Sequence, residues 1–253
     1  MDGRQRKAVE FFSSLAKTSN NMAAIAGRYE IDQGKEPLIW NDIISKLPVK
    51  PNINVLDLGG GCGGLTELSL KYSIEIDFNL YLYDIPEIIN KARGVFSEEL
   101  FKNCQLFSGL FPHDHLASLQ KVEFDAILAY SVFQYTDEPR KFIDEASKLL
   151  KTGGRMLIGD IPNVNKKGRF LSCDSGRKFE AEYKNIDISE VPFYKNHHDF
   201  LEKSTGQNKT INDELLLNII QDYRNNGYNA YIIPQPSTLP FSLTREDLVI
   251  EKP

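Results

Sequence analysis

The stretch Val55-Leu56-Asp57-Leu58-Gly59-Gly60-Gly61-Cys62-Gly63-Gly64 places five glycines behind a short apolar run. A strand that ends in glycines and opens a helix brings bare backbone close to a ligand at the carboxyl edge of a parallel sheet. Consecutive glycines cost conformational entropy that a plain turn does not require, so the cluster reads as a ligand loop. Two ligands fit its spacing. Gly59-x-Gly61-x-x-Gly64 satisfies a dinucleotide fingerprint, with Asp84 placed beyond it where a ribose-binding acid is expected. Asp57-x-Gly59-x-Gly61-x-Gly63 satisfies a second pattern, with an acid ahead of the first glycine. A buried carboxylate beside a pyrophosphate meets like charge, whereas the ammonium of an amino-acid moiety gives it a partner. S-adenosyl-L-methionine (SAM) carries that ammonium and no phosphate, and the carboxylate decides in its favour.

Outward from the loop, short apolar runs alternate with amphipathic stretches, the signature of βα units and a parallel sheet. The runs at 54–58, 80–83, 105–108, 124–130 and 155–159 read as strands, with helices at 66–72, 87–96 and 140–150 between them. Lys151-Thr152-Gly153-Gly154 reads as a helix stop and turn. Residues 161–210 break the alternation and read as a lid insertion, carrying Lys166, Lys167, Arg169, Arg177 and Lys178 and then a cluster of aromatics and histidines. Regularity returns with a helix at 214–223 and strands at 228–233 and 247–251. The connection 234–245 is too poor in helix formers for a crossover, so the last strand should run antiparallel to its neighbour. Residues 1–50 read as an N-terminal helical cover, stopped by Pro48 and Pro51 before a domain at 51–253.

Composition narrows the class. The chain has 253 residues, is 41% hydrophobic and carries a net charge of −5, as expected of a globular protein with a proper core. A mildly acidic chain gains no general attraction to phosphate polymers, which disfavours nucleic acid as a partner. No long apolar window indicates a membrane span. Cys62, Cys104 and Cys173 form no close pair, which argues against a disulfide framework or a zinc site. The N-terminal residues lack the pattern of a secretion signal, so a cytoplasmic protein is expected.

The glycine loop, the stretch Phe124-Asp125-Ala126-Ile127-Leu128 and the turn Lys151-Thr152-Gly153-Gly154 with the strand after it together resemble the class I SAM-dependent methyltransferases. The resemblance covers about residues 52–160 and resumes at the last helix and two strands. It implies a Rossmann-like α/β fold, a seven-stranded and mostly parallel sheet with an antiparallel last strand. It also implies roles. Asp57, Gly59 and Gly61 would surround the methionine part of SAM, Asp84 would take both ribose hydroxyls, and Ile85 would lie against the adenine. Gly109 and Leu110 would flank the adenine's other side, although Leu110 stands where many members carry an acid. Tyr130 and Ser131 would face the methyl donor, and Arg28 is a candidate partner for the SAM carboxylate.

Methyl transfer is an in-line displacement that needs alignment and dryness, with a general base when the acceptor is a hydroxyl. His113, Asp160 and His197 are the candidate bases, with His115 and His198 beside two of them. No metal is expected, because the histidines lack familiar zinc spacing and Tyr130-Ser131 stands where metal-dependent members carry an acid. The absence of an Asn/Asp-Pro-Pro-Tyr motif after the fourth strand disfavours nucleobase amino groups as acceptors. The expected activity is therefore O-methylation of a small molecule. The basic and aromatic insertion suits an anionic one, such as a sugar nucleotide, and a homodimer is common among such members. The alternatives are a SAM-binding protein without methyl transfer, an RNA methyltransferase and an NAD-linked oxidoreductase.

Overall fold

The computed structural model describes residues 3–19, 21, 25, 34–204 and 209–253. Seven strands form one sheet: β1 (Asn54–Leu58), β2 (Asn79–Asp84), β3 (Cys104–Ser108), β4 (Phe124–Tyr130), β5 (Leu150–Pro162), β6 (Asn229–Ile233) and β7 (Arg245–Glu251). Their order is β3-β2-β1-β4-β5-β7-β6. All neighbours among β1 to β5 run parallel, and β7 is antiparallel to both β5 and β6. This is the Rossmann-like arrangement with one reversed strand that the alternation and the helix-poor 234–245 connection anticipate.

The helices are α1 (Arg4–Thr18), α2 (Glu36–Lys46), α3 (Gly64–Ile76), α4 (Pro86–Val95), α5 (Leu116–Leu119), α6 (Pro139–Lys148), α7 (Val164–Leu171), α8 (Asp174–Lys184), α9 (His197–Lys203) and α10 (Asp213–Asn225). Strand periodicity sends side chains to alternate faces. Leu56, Leu58, Ile127, Ile158 and Ile250 pack on one side with Phe142, Ile143, Leu216 and Ile219 from α6 and α10. Val55, Ala126, Leu128, Leu157 and Val249 pack on the other with Ile39, Ile43 and Leu70 from α2 and α3. Both faces are covered, which is why the strands read as nearly continuous apolar runs.

The reverse order of strand reversal places β1 and β4 side by side, with the chain leaving β1 toward β2 on one side and β4 toward β5 on the other. A crevice opens at such a switch point, outside the carboxyl ends of the strands. Helix α1 closes one flank. Its Val9, Phe12, Leu15 and Ala16 pack with Ile85, Ile88 and Ala92 at and on α4, and Phe12 meets Tyr135 edge-on at 5.2 Å.

Two boundaries differ from the sequence reading. Helix α6 stops at Lys148, and β5 begins at Leu150, opposite Phe124. The Lys151–Gly154 segment is therefore a bulge within the strand, with Gly153 at φ +79° and hydrogen bonds exchanged with Lys252. A glycine turn and a glycine bulge demand the same left-handed backbone, so the residues alone do not distinguish them. The described residues of 161–210 hold three helices, α7 to α9, of which α7 and α9 pack around Val164, Leu171 and Phe200.

Behind β5 and β7 lies a buried charge network. The Lys46 ammonium donates to Asp42 and Asp247 at 2.6 Å each, while Asp247 also accepts from the Asp160 N–H at 2.9 Å and from Gln235 at 2.8 Å. It ties α2 to the end of β5. Buried charges of this kind are tolerated only when paired and hydrogen-bonded.

Candidate active site

The glycine loop between β1 and α3 is held from several sides. Gly59 donates to the Tyr83 carbonyl at 2.7 Å. Gly61 donates to Asp84 Oδ2 at 2.8 Å, and Asp84 Oδ1 accepts from the Ile85 N–H at 2.7 Å. Thr66, 1% exposed in the first turn of α3, donates its hydroxyl to the Gly60 carbonyl at 2.6 Å and accepts from the Gly63 N–H at 3.1 Å. Gly59 and Gly61 sit at φ +73° and +72°, in the left-handed region that favours glycine. A Cβ on Gly60 would overlap Leu82 Cδ1 and approach Asp57 Oδ2 to 2.7 Å.

The loop forms one wall of a cavity at the carboxyl edge. Eight of the residues named from the sequence as cofactor contacts line it: Gly59, Gly61, Asp84, Ile85, Gly109, Leu110, Tyr130 and Ser131. Asp57 does not. It is 6% exposed, and its carboxylate lies behind Gly60. Arg28 lies outside the described residues. Gly109 donates to the Asp84 carbonyl at 2.9 Å, and a Cβ there would meet Asp114 and the Tyr83 hydroxyl. Ser131 is at φ +59°, its N–H donating to the Gly159 carbonyl at 3.0 Å and its hydroxyl accepting from Gln134 at 3.1 Å.

None of the three candidate bases lines this cavity. His113 is exposed on the loop after β3. His197 opens α9, its ring 4.1 Å from that of His198. Asp160, at φ +58° near the end of β5, lies with its carboxylate 3.8 Å from Arg245 Nε, and its carbonyl accepts from Arg245. No described residue of 161–210 lines the cavity.

Several wall residues escape a reading of the sequence. Gln5, Val9 and Phe12 come from α1, Tyr135 and Thr136 from the turn after β4, and Thr66 from α3. The last had one available signal, a hydroxyl at the third helical position behind a glycine N-cap. Asp114 was not singled out either. Its carboxylate accepts from the Leu110 N–H at 2.8 Å and lines an adjoining recess that shares Val9, Ile85, Gly109 and Leu110 with the main cavity. Among the described residues no cluster of three metal-ligating side chains exists, and no helix is long and apolar enough to cross a membrane.

Two carboxyls dominate the electrostatics. Burial pushes Asp57 up to about 7, helped by the neighbouring Asp84 charge. Burial likewise pushes Asp84 up to about 6, against the stabilising N–H groups of Gly61 and Ile85. Both values lie above the ordinary carboxyl range, so the folded state holds these protons more tightly than the unfolded chain does. Protein without ligand should therefore lose stability as pH rises from about 4 through about 7, and level off above both values. Thermal melts at pH 5, 6, 7 and 8 check this against Asp57→Asn. That variant should melt several degrees higher than wild type at pH 8 and show a flatter profile. Equal profiles would mean that no charge penalty resides at this pair.

The residues present fit a ligand with a cation and vicinal hydroxyls. Asp84 offers acceptor oxygens on the wall, Asp57 adds negative charge behind the loop, and Ile85 and Leu110 offer apolar surface. They do not suit a pyrophosphate. The N–H groups of Gly59, Gly61 and Gly63 are already taken by Tyr83, Asp84 and Thr66, and the carboxyls of Asp57 and Asp84 would meet its phosphates with like charge.

Comparison with known proteins agrees with this geometry. Residues 49–209 match the family model of a methyltransferase domain. The mitochondrial ubiquinone biosynthesis O-methyltransferase of Dictyostelium discoideum is 28% identical over 130 residues, 49% of this chain and 40% of that protein. The chain thus spans less than half the length of this curated relative. Among solved structures, an O-methyltransferase family protein from Burkholderia thailandensis is similar with a TM-score of 0.53 at 16% identity, covering 98% of this chain and 70% of that one. Phosphoethanolamine N-methyltransferase 1 of Haemonchus contortus gives 0.56 at 14%, covering 98% and 48%. At such identities the two structures speak for the fold alone. With a family match over more than half its length, the chain belongs to the methyltransferase-domain family, that of the class I SAM-dependent methyltransferases.

Proposed function

We propose that this protein binds SAM in the cavity beside the glycine loop and methylates a hydroxyl of a small molecule. The observation that carries the cofactor is the loop itself: the N–H groups of Gly59, Gly61 and Gly63 are bonded within the protein, and two carboxyls stand where a phosphate would need cations. Asp84 would accept from the ribose hydroxyls. Ile85, Gly109 and Leu110 would enclose the adenine, and Asp114 supplies an acid at that end which Leu110 does not. Gly59, Gly61, Tyr130 and Ser131 would face the methionine part, with the Asp57 charge acting through the loop rather than by direct contact.

Bound there, SAM supplies a sulfonium methyl: the acceptor oxygen's lone pair forms the new bond to carbon while the carbon–sulfur pair returns to sulfur, and the hydroxyl proton goes to a base or water. The chain's task is alignment and exclusion of water. Helix α1 serves the second, since Gln5, Val9 and Phe12 form a wall that residues 51–253 do not provide. Asp160 is the base candidate we retain. It follows Gly159, on which the Tyr130 ring packs, and so adjoins the cavity wall. The relatives' printed activities, O-methylation in ubiquinone biosynthesis above all, support a small-molecule acceptor.

Calorimetric titration with SAM, S-adenosylhomocysteine and NAD tests the reading. Micromolar binding of the first two, typical of cofactors at about −8 kcal/mol, with no heat from NAD is expected. Binding of NAD alone would return the loop to its dinucleotide reading and sink the proposal.

A further inference from the structure

The cofactor contacts proposed above leave part of the cavity wall unassigned. That part is formed by Gln5, Ala8 and Phe12 of α1 and by Val132, Tyr135 and Thr136 of the turn after β4. The spacing of the first three, at i, i+3 and i+7, puts them on one face of the helix. The two segments are fastened together. Phe12 meets Tyr135 edge-on at 5.2 Å and 81°, and the Gln5 N–H donates to Asp137 Oδ1 at 3.1 Å.

This wall is continuous with the methionine end of the site. Val132 follows Ser131, and a Cβ on Gly59 would stand 2.5 Å from Val132 Cγ2, so Val132 packs on the glycine loop itself. An in-line displacement needs donor and acceptor in one enclosure. Here the same cavity continues past the methyl donor.

The chemistry of the wall selects its occupant. Ala8, Phe12, Val132 and the Tyr135 ring give apolar surface, and the edge-on pair of rings suits a third. Polar groups are few. Gln5 brings an amide that makes no hydrogen bond among the described residues. Tyr130, Ser131, Tyr135 and Thr136 each bring a hydroxyl, and those of Ser131 and Thr136 already accept from Gln134 and from the Glu138 N–H. Thr66 and Tyr83 are engaged with Gly60, Gly63 and the Asp114 carbonyl. Such a wall meets one or two guest hydroxyls and leaves most of those on a sugar without partners.

Charge is disfavoured in both senses. A carboxylate or phosphate would be buried against apolar side chains, with Asp84 on the wall, Asp57 behind the loop and Asp114 in the adjoining recess. A cation would be brought against the sulfonium. The basic residues of 161–210 do not alter this, since none that is described lines the cavity, and Arg169 pairs with Asp213.

We propose that the methyl acceptor is an uncharged phenol, seated in this cavity between α1 and the Val132–Thr136 turn, with Phe12 and Tyr135 selecting its ring and Gln5 selecting its neutrality. The assignment rests on the methyl-transfer reading above and names its substrate class.

The test uses the full chain and a series of probes that differ in one feature each. Catechol is the uncharged phenol, 3,4-dihydroxybenzoate adds a carboxylate, dopamine adds an ammonium and cyclohexane-1,2-diol removes the ring. UDP-glucose is the sugar nucleotide. Ligand-detected NMR reads their binding with saturating S-adenosylhomocysteine present. Catechol should bind in the millimolar range or better, about fivefold or more tighter than every other probe. Phe12→Leu should weaken catechol about fivefold while leaving the diol unchanged. Gln5→Lys places a cation on the wall and should shift the preference toward 3,4-dihydroxybenzoate about tenfold, a gain that misfolding cannot produce. Both variants should melt within about 5 °C of wild type.

If S-adenosylhomocysteine binds but catechol does not, or if a charged probe, the diol or UDP-glucose binds as tightly, the acceptor assignment falls and the methyl-transfer reading stands. An unchanged preference in Gln5→Lys or unchanged catechol affinity in Phe12→Leu removes the acceptor from α1 and also overturns it. If catechol binds but S-adenosylhomocysteine does not, the methyl-transfer reading falls and takes the acceptor role with it.

Discussion

Gly59→Ala should lower the melting temperature by roughly 5–15 °C and weaken S-adenosylhomocysteine about tenfold or more. Two separate penalties converge on this position. The backbone is at φ +73°, where a Cβ collides with its own carbonyl at a cost of about 1–2 kcal/mol. The added methyl would also stand 2.5 Å from Val132 Cγ2 and 3.2 Å from Cγ1. Relieving that overlap displaces either the loop or Val132, at about 1–3 kcal/mol for an overpacked site. Both line the cavity, so either movement alters its shape. The loop has little room to yield elsewhere, because Gly59 N–H is fixed to the Tyr83 carbonyl and Thr66 spans Gly60 and Gly63. A second substitution separates the penalties. Gly59→Ala with Val132→Ala should recover the steric part while the backbone part remains. A single variant that melts within a degree of wild type and binds within twofold would show that the loop does not have this geometry.

How much of this was legible beforehand follows from where the information resides. The sheet was, because strands buried on both faces must be apolar throughout, and a helix-poor return after β6 leaves little choice but an antiparallel strand. The glycine loop was, because Gly59 and Gly61 need a backbone that other residues resist. The rest depends on contacts between positions far apart in the chain. Nothing near Phe12 announces that it meets Tyr135, and nothing near Asp114 announces that it caps Leu110. Asp57 carries the right chemistry at the right spacing, yet strand alternation turns its side chain behind Gly60. His113, Asp160 and His197 were singled out for residue type and for nearness in sequence to strand ends. The structure spreads them over an exposed loop, a bulged strand end and a helix start. Phe170, Phe179 and Tyr183 face the β6–β7 connection, a placement that their spacing in the chain does not announce.

Asp84→Ala should separate cofactor affinity from stability. In the proposed site its carboxylate, on the cavity wall, would accept from the paired ribose hydroxyls, and hydrogen bonds to a charged group contribute about 1.5–3 kcal/mol each. Loss of two such bonds should weaken SAM by roughly a hundredfold. The same side chain also fixes Gly61 at 2.8 Å, so part of the loss will come through a looser loop. Stability should respond differently. Asp84 raises the cost of ionising Asp57, and both carboxyls are held above the ordinary range by burial. Removing one of them relieves the other, whose proton affinity should fall. The ligand-free variant should therefore lose less stability between pH 5 and pH 8 than wild type, even as its cofactor affinity collapses. Asp84→Asn is the informative partner substitution. Its single amide oxygen cannot accept from both Gly61 and Ile85, and its NH2 group faces one of those donors, so it should bind SAM no better than the alanine variant. Calorimetric titration with melts across pH reads both quantities from one set of proteins. Cofactor affinity within twofold of wild type in Asp84→Ala would remove Asp84 from the ribose site and with it the frame on which the other contacts are placed.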